Sequence, residues 1–294
     1  MSMLINFSPE LSAWLIHNLE RGCSTDDIVQ SMVAQKFEKW VAEGLVETFQ
    51  VALRNGKEPP KDSVILEDPL PDYLYETPRL SQEPVLMTSD RKIPVLLRIQ
   101  KPVIALLEGV LSHEECDTII ELAKGRLKPS TVVDYSSGMD KTVEHRDSEG
   151  MFFKLQETAF ISKLDRRISE LMNCPIEHGE GLQVLRYGTN AKNTPHFDFL
   201  VPANEANKES IKRSGQRIST LVVYLNEVKA GGETIFPEIG LSVLPRKGNA
   251  VYFEYTNGLG QLDLKSVHAG AQVFEGEKWA LTKWMRERPF VPAS

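Results

Sequence analysis

The stretch Asn193-Thr-Pro-His-Phe-Asp-Phe199 is the one whose conformation governs the rest of the chain. Pro195 biases Thr194 towards extended backbone, so the stretch is predicted to be a β-strand, on which side chains at i and i+2 leave the same face. His196 and Asp198 would then stand side by side. They form two corners of a 2-His-1-carboxylate site, which holds Fe(II) and leaves coordination positions open. Phe197 would point the other way, into packing. The pair alone is a weak signal. A chain with 6 His and 41 Asp plus Glu in 294 residues holds roughly one His-x-Asp/Glu by chance. Three more are present, His113 with Glu115, His145 with Asp147, and His178 with Glu180, so context must separate a metal ligand from a capping or surface residue.

With 41% hydrophobic residues, the chain can bury a substantial core as one large domain or two smaller ones. A net charge of −7 and a pI near 5.5 argue against nucleic acid as a partner, because phosphate contacts need clustered Lys and Arg. Lys208, Lys212, Arg213 and Arg217 make only a short basic stretch, read as a solvated loop. Cys23, Cys116 and Cys174 are an odd number at unrelated spacings, which fits reduced thiols and a cytoplasmic location. The first residues carry no basic region followed by an apolar run, and no apolar run approaches membrane-spanning length. Neither a signal peptide nor a membrane partner is expected.

Residues 1–55 read as a small helical module. Ser8-Pro9 starts a helix with an apolar stripe of Leu11, Trp14, Leu15 and Leu19, and Gly22 stops it. Ser24 opens a second helix, and a third carries Val41, Leu45, Phe49 and Leu53 on one face. Residues 56–100 hold 7 of the 17 prolines, a density that favours an extended connector. From residue 101 a compact domain begins: a strand at Val103–Leu107, a capping box at Ser112-His-Glu-Glu115 opening a helix, and a second long helix near 155–173. That capping role accounts for His113 and Glu115 without metal. Two helices ahead of a strand-rich region suggest helices laid on one face of a sheet. After residue 180 short strands follow one another, punctuated by Gly231-Gly232, Gly248, Gly258-Leu-Gly260 and Gly276, the pattern of a sandwich or jelly roll without intervening helices.

The run from 180 to 290 resembles the prolyl 4-hydroxylase branch of the 2-oxoglutarate/Fe(II)-dependent dioxygenases. The residues that carry the resemblance are Glu180-Gly-Leu-Gln-Val-Leu-Arg-Tyr187, Pro195-His-Phe-Asp198, Arg217-Ile-Ser-Thr-Leu-Val-Val-Tyr-Leu-Asn226, Gly231-Gly-Glu-Thr-Ile-Phe-Pro237, His268-Ala-Gly270 and Gly276-Glu-Lys-Trp-Ala-Leu-Thr-Lys-Trp284. Upstream, Ser112-His-Glu-Glu-Cys116 and His145-Arg-Asp-Ser-Glu-Gly-Met-Phe-Phe153 also look like that family. Coverage is about 100–291.

The resemblance implies a mainly β fold with flanking helices: a double-stranded β-helix, or jelly roll, at 101–294, preceded by the helical module. It makes His268 the third metal ligand beside His196 and Asp198. Iron with one aspartate and dianionic 2-oxoglutarate leaves net negative charge, which calls for a cation at the far carboxylate; Lys278 stands at the family's position for it. Thr234 and Tyr187 match the hydroxyl partners of 2-oxoglutarate, and Arg217, Trp284 and Glu180 match substrate-binding positions. On an ideal strand Trp284 would lie roughly 20 Å from the backbone of Lys278, lining an outer groove. One departure is Asn193, where the family usually has a substrate-contacting tyrosine. Retained Asp198 counts against a halogenase. Lysine in place of arginine at the co-substrate carboxylate counts against a nucleic-acid demethylase.

The activity implied is hydroxylation of an unactivated carbon, with Fe(II), 2-oxoglutarate and O2 required and ascorbate as an optional reductant. The favoured target is a prolyl residue of a protein or peptide. A free amino acid or small metabolite is the alternative substrate, and a non-catalytic sensor module on the same fold is a third reading. The N-terminal helices would serve substrate docking or a homo-oligomer.

Overall fold

The computed structural model describes residues 2–67, 73–129, 132–133, 140–141 and 148–292. It divides into two compact units, at 1–72 and 73–294.

In the first unit, strand β1 (Ser2–Asn6) is followed by helices α1 (Pro9–Glu20), α2 (Thr25–Ala34) and α3 (Lys39–Arg54), and strand β2 (Ser63–Glu67) returns to pair antiparallel with β1. Ser8 and Ser24 cap the first two helices by accepting from Leu11 N and Asp27 N, satisfying donors that the first turn leaves open. The predicted stripes meet in one core in which Leu15, Ile28, Met32, Leu45 and Phe49 are buried. Leu66 from β2 closes this core, so the module extends past residue 55 and includes a two-stranded antiparallel sheet that the helical reading lacked. Phe49 is fully buried, with its ring 5.7 Å from that of Phe7. Phe49→Ala should therefore cost this unit about 3–5 kcal/mol. Chemical denaturation should show the loss, and metal binding by the second unit should be unchanged because its core is separate.

The second unit runs β3 (Val85–Met87), β4 (Lys92–Gln100), β5 (Val103–Leu107), α4 (His113–Lys124), β6 (Lys128–Pro129), β7 (Val132–Val133), β8 (Asp140–Lys141), β9 (Ser148–Phe153) and α5 (Ala159–Met172). It continues through β10 (Leu182–Tyr187), β11 (Asn193–His196), α6 (Glu205–Ser214), β12 (Arg217–Tyr224), β13 (Ala230–Gly231), β14 (Thr234–Phe236) and β15 (Leu241–Val243). It ends with β16 (Ala250–Glu254), β17 (His268–Gly270), β18 (Val273–Glu275) and β19 (Lys278–Arg286). A nine-stranded sheet has the order β3-β4-β5-β16-β12-β19-β10-β9-β6, and a four-stranded sheet has the order β11-β17-β14-β15. Pairing is antiparallel throughout both, which is the predicted jelly roll with flanking helices.

Alternation along β16 shows the layering. Ala250 and Tyr252 face a core shared with Ile119 of α4 and Leu164 and Ile168 of α5. Val251 and Phe253 face a second core with Phe236 and Val243 of the small sheet. Helices thus cover one face of the large sheet and the small sheet covers the other.

Two expectations need correction. The proline-rich stretch 56–100 is not a plain connector: its first part belongs to the N-terminal unit, and β3 and β4 are the outermost two strands at one end of the large sheet. Pro84 and Pro94 fit there because the pairing uses their carbonyls, which accept from Val95 N and Glu108 N at 2.9 Å each. The basic stretch read as a solvated loop has Arg217 opening β12, and its Lys208, Lys212 and Arg213 lie on helix α6. Asn204 caps it and Lys208 pairs with Glu205 at 2.7 Å. Being polar on nearly every face, it lacks the apolar stripe by which sequence reveals a helix.

Candidate metal centre and active-site cavity

His196 and His268 are direct cross-strand partners on β11 and β17, so the sheet register brings their rings to a centroid distance of 4.3 Å. Each ring is oriented from behind. His196 Nδ1 lies 2.9 Å from Thr194 O and His268 Nδ1 lies 3.1 Å from Ser266 O. A carbonyl only accepts, so each Nδ1 carries the proton and each Nε2 presents its lone pair, the arrangement that second-sphere partners impose on metal-bound histidines.

Asp198 reaches the site by another route than a strand face. β11 ends at His196, and the segment 197–200 is bolted to the start of β12. Gln216 bonds both N and O of Leu200, Arg217 Nη1 donates to Asp198 O at 3.2 Å, and Thr220 Oγ1 donates to Asp198 Oδ2 at 2.7 Å. The carboxylate so placed lies 3.7 Å from each imidazole Nε2.

Burial pushes the Asp198 carboxyl upward, but His268, His196, Arg217 and the Thr220 hydroxyl together hold it below its usual range. Burial drives His268 down to about 4, against the pull of Asp198, so its imidazole is neutral near pH 7 and able to bind a cation. Among the described residues these three form the one group of His, Cys, Asp and Glu whose ligand atoms all lie within 4.8 Å of one another. Two nitrogens and one carboxylate, with both tautomers set, fit Fe(II).

The other His-x-acid pairs separate cleanly. Ser112 and Glu115 form the expected capping box, with Glu115 also bound by Arg167. His178 Nδ1 lies against Arg286 O at 3.1 Å. His145 and Asp147 fall outside the described residues.

The ligands open into a cavity of about 520 Å³. Its far side is built by β10 and β19, where Tyr187 pairs with Lys278. Lys278 is buried, makes no ion pair with any described residue, and has its Nζ 5.8 Å and 5.6 Å from the ring centres of Tyr187 and Tyr224. Burial lowers its pKa to about 8. Thr234 lines the cavity beside it and accepts from Tyr224 OH at 2.9 Å. Gly270 pairs with both Asn193 and Thr234, and a Cβ there would press on Asn193 Cβ at 3.3 Å; the glycine keeps the floor open between them.

Arg217 and Trp284 line the same cavity as Lys278, so Trp284 is not confined to an outer groove. The Arg217 guanidinium lies 4.0 Å over the Trp284 ring. Glu180 does not line the cavity. It is buried and takes Arg217 Nε and Nη2 at 2.7 and 2.8 Å and Arg286 Nη1 at 3.0 Å, so it braces the arginine from behind. Sequence reading missed Phe152, a half-exposed ring on the cavity rim 6.4 Å from Trp284. It also missed Thr220. The alternation of β9 and β12 could have placed both side chains on their faces.

Residues 182–286 match the family model described as the 2OG-Fe(II) oxygenase superfamily. The chain is 39% identical over 203 residues to prolyl 4-hydroxylase 1 of Arabidopsis thaliana, covering 64% of this chain and 70% of that protein. It is 35% identical over 209 residues to prolyl 4-hydroxylase 5 of the same plant, covering 65% and 70%. A solved structure of a viral collagen prolyl hydroxylase from Paramecium bursaria Chlorella virus-1, in a 2-oxoglutarate complex, is 28% identical over 62% of this chain and 95% of that one, with a TM-score of 0.49. With more than two thirds of each plant protein matched and His196, Asp198 and His268 brought together, the chain belongs to the prolyl 4-hydroxylase branch of the 2-oxoglutarate/Fe(II)-dependent dioxygenases.

Proposed function

We infer that this protein is an iron- and 2-oxoglutarate-dependent dioxygenase that hydroxylates prolyl residues of a protein or peptide. The observation that carries this reading is one cavity shared by the triad, a lysine that no described residue pairs with in an ion pair, and the aromatic faces of Trp284 and Phe152. His196, Asp198 and His268 would hold the iron, which with 2-oxoglutarate and O2 supplies the chemistry that places oxygen on an unactivated carbon and releases succinate and carbon dioxide.

The remaining work falls to the chain's own side chains. Lys278 supplies the cation for the far carboxylate of 2-oxoglutarate in a place dry enough for the pairing to be strong. Thr234 receives a hydrogen bond from Tyr224, so its own proton is free to donate to the same carboxylate, and Tyr187 borders it. Trp284 and Phe152 offer flat apolar faces suited to a pyrrolidine ring, and Arg217 backs the indole. Three free thiols, two of them buried, support a reducing compartment for this enzyme.

The test is anaerobic addition of Fe(II) and 2-oxoglutarate, then oxygen with a panel of proline-containing peptides. Peptide-dependent succinate release and hydroxyproline are the expected results. Turnover with free amino acids instead would assign a small-molecule substrate, and no metal-dependent absorption band would leave only a binding module.

Lys278 also sets a pH dependence. Below about pH 8 its ammonium is present before the co-substrate arrives. Above that value binding must take up a proton, so affinity for 2-oxoglutarate falls as pH rises, approaching about tenfold per pH unit. Isothermal titration from pH 7 to 9.5 should show the break near 8, and Lys278→Ala should remove it.

A further inference from the structure

Asp198 lies off the regular strand, so its side chain needs support that the sheet does not provide. Thr220 sits in the middle of β12 and is fully buried, as is Tyr255 just past β16. Thr220 Oγ1 is 2.7 Å from Asp198 Oδ2 and 2.9 Å from Tyr255 OH. The direction of this chain follows from its ends. Burial and the nearby Asp198 carboxylate push the Tyr255 phenol well above its usual range, so it keeps its proton and donates to Thr220. Ionised Asp198 only accepts, so the threonine hydroxyl donates to it.

The surroundings leave the carboxylate little other support on that side. Tyr255 packs among Phe199 and Phe253, with ring centres 6.1 and 5.9 Å away. Arg217 engages only the backbone oxygen of Asp198. A buried threonine needs a partner and most often finds a backbone carbonyl. Here it reaches instead to a metal-ligand carboxylate and is itself oriented by a tyrosine from a neighbouring strand.

We propose that Tyr255 and Thr220 are positioning residues for the reaction: a buried hydrogen-bond chain that ties down one carboxylate oxygen of Asp198 and so fixes the plane in which this residue meets the metal. The proposal rests on the triad reading of the site. Tyr255 acts only through Thr220, and neither touches substrate.

The test uses the full chain loaded anaerobically with Fe(II), and with Co(II) as a spectroscopic probe. Thr220→Val keeps the shape and removes the hydroxyl. It should weaken metal binding by about 10–100-fold, the loss typical when a ligand's outer partner is removed, and alter the visible Co(II) bands. Thr220→Ser should restore affinity to within about threefold of wild type. Tyr255→Phe should give a smaller loss that disappears in the Thr220→Val background, because coupled residues do not add. If wild type itself binds neither metal, the triad reading fails. If wild type binds and Thr220→Val matches it with unchanged Co(II) bands, the positioning chain is refuted, as it is by fully additive losses in the double variant. Should the valine variant not fold by circular dichroism, Tyr255→Phe decides alone: an affinity and Co(II) spectrum equal to wild type overturn the proposal.

Discussion

His268→Ala and Asp198→Ala are each expected to abolish iron-dependent turnover while leaving the protein folded. Each removes one of three donors converging on a point, and the open positions of a facial triad leave no spare protein ligand to take its place. The loss should exceed the roughly 100-fold expected from removing an outer partner of a ligand. Folding should survive, because both side chains face the cavity while the apolar cores on either side of the large sheet are untouched. Anaerobic Fe(II) titration and succinate release measure the effect, with circular dichroism as the control. Iron-dependent succinate formation retained in both variants would overturn the triad. Loss in only one would return attention to His145 and Asp147.

Lys278→Ala is expected to have the next largest effect. If the ammonium pairs with the far carboxylate of 2-oxoglutarate, its removal strands a charge in a dry pocket, at about 2–5 kcal/mol. At about 1.4 kcal/mol per tenfold, 2-oxoglutarate binding weakens by roughly 30-fold to a few thousandfold. Iron binding should persist, since the three ligands are unchanged. Lys278→Arg should rescue only in part: the planar fork approaches a carboxylate differently from a point charge, between the rings of Tyr187 and Tyr224. Other cations are poorly placed to substitute. Arg217 is held by Glu180, and Arg186 is 41% exposed and held by Glu149 and Glu277. Titration of 2-oxoglutarate into the anaerobic iron-loaded variant is the measurement. An affinity within about twofold of wild type would mean that one of those arginines releases its partner to bind the co-substrate.

Much of this was legible in the residues alone. Helices α1 to α5 announced themselves through apolar stripes and caps, because a stripe at helical spacing has no other efficient way to leave water. The Ser112–Glu115 box formed as read. Resemblance to a known family supplied His268 and Lys278 beside His196 and Asp198, and short strands separated by glycines marked the jelly roll. These are local properties: periodicity, turn chemistry and residue type are written within a few positions of one another.

What the tertiary structure alone decided is everything that depends on which distant strands pair. His268 faces His196 because β17 lies in register against β11. Asp198 comes to the site by another route than the strand face expected of it: Arg217 and Thr220 hold it directly, and Gln216 anchors Leu200 beside it. Glu180, expected near substrate, is buried behind Arg217 because two arginines offset the cost of burying its charge. Trp284 reaches the same cavity as Lys278, β3 and β4 joined the large sheet despite their prolines, and α6 formed without an apolar stripe to reveal it. Sequence patterns state which face of an element avoids water. The pairing of faces from opposite ends of the chain is settled only when one shared core satisfies all of them together, and the support of each functional side chain is settled with it.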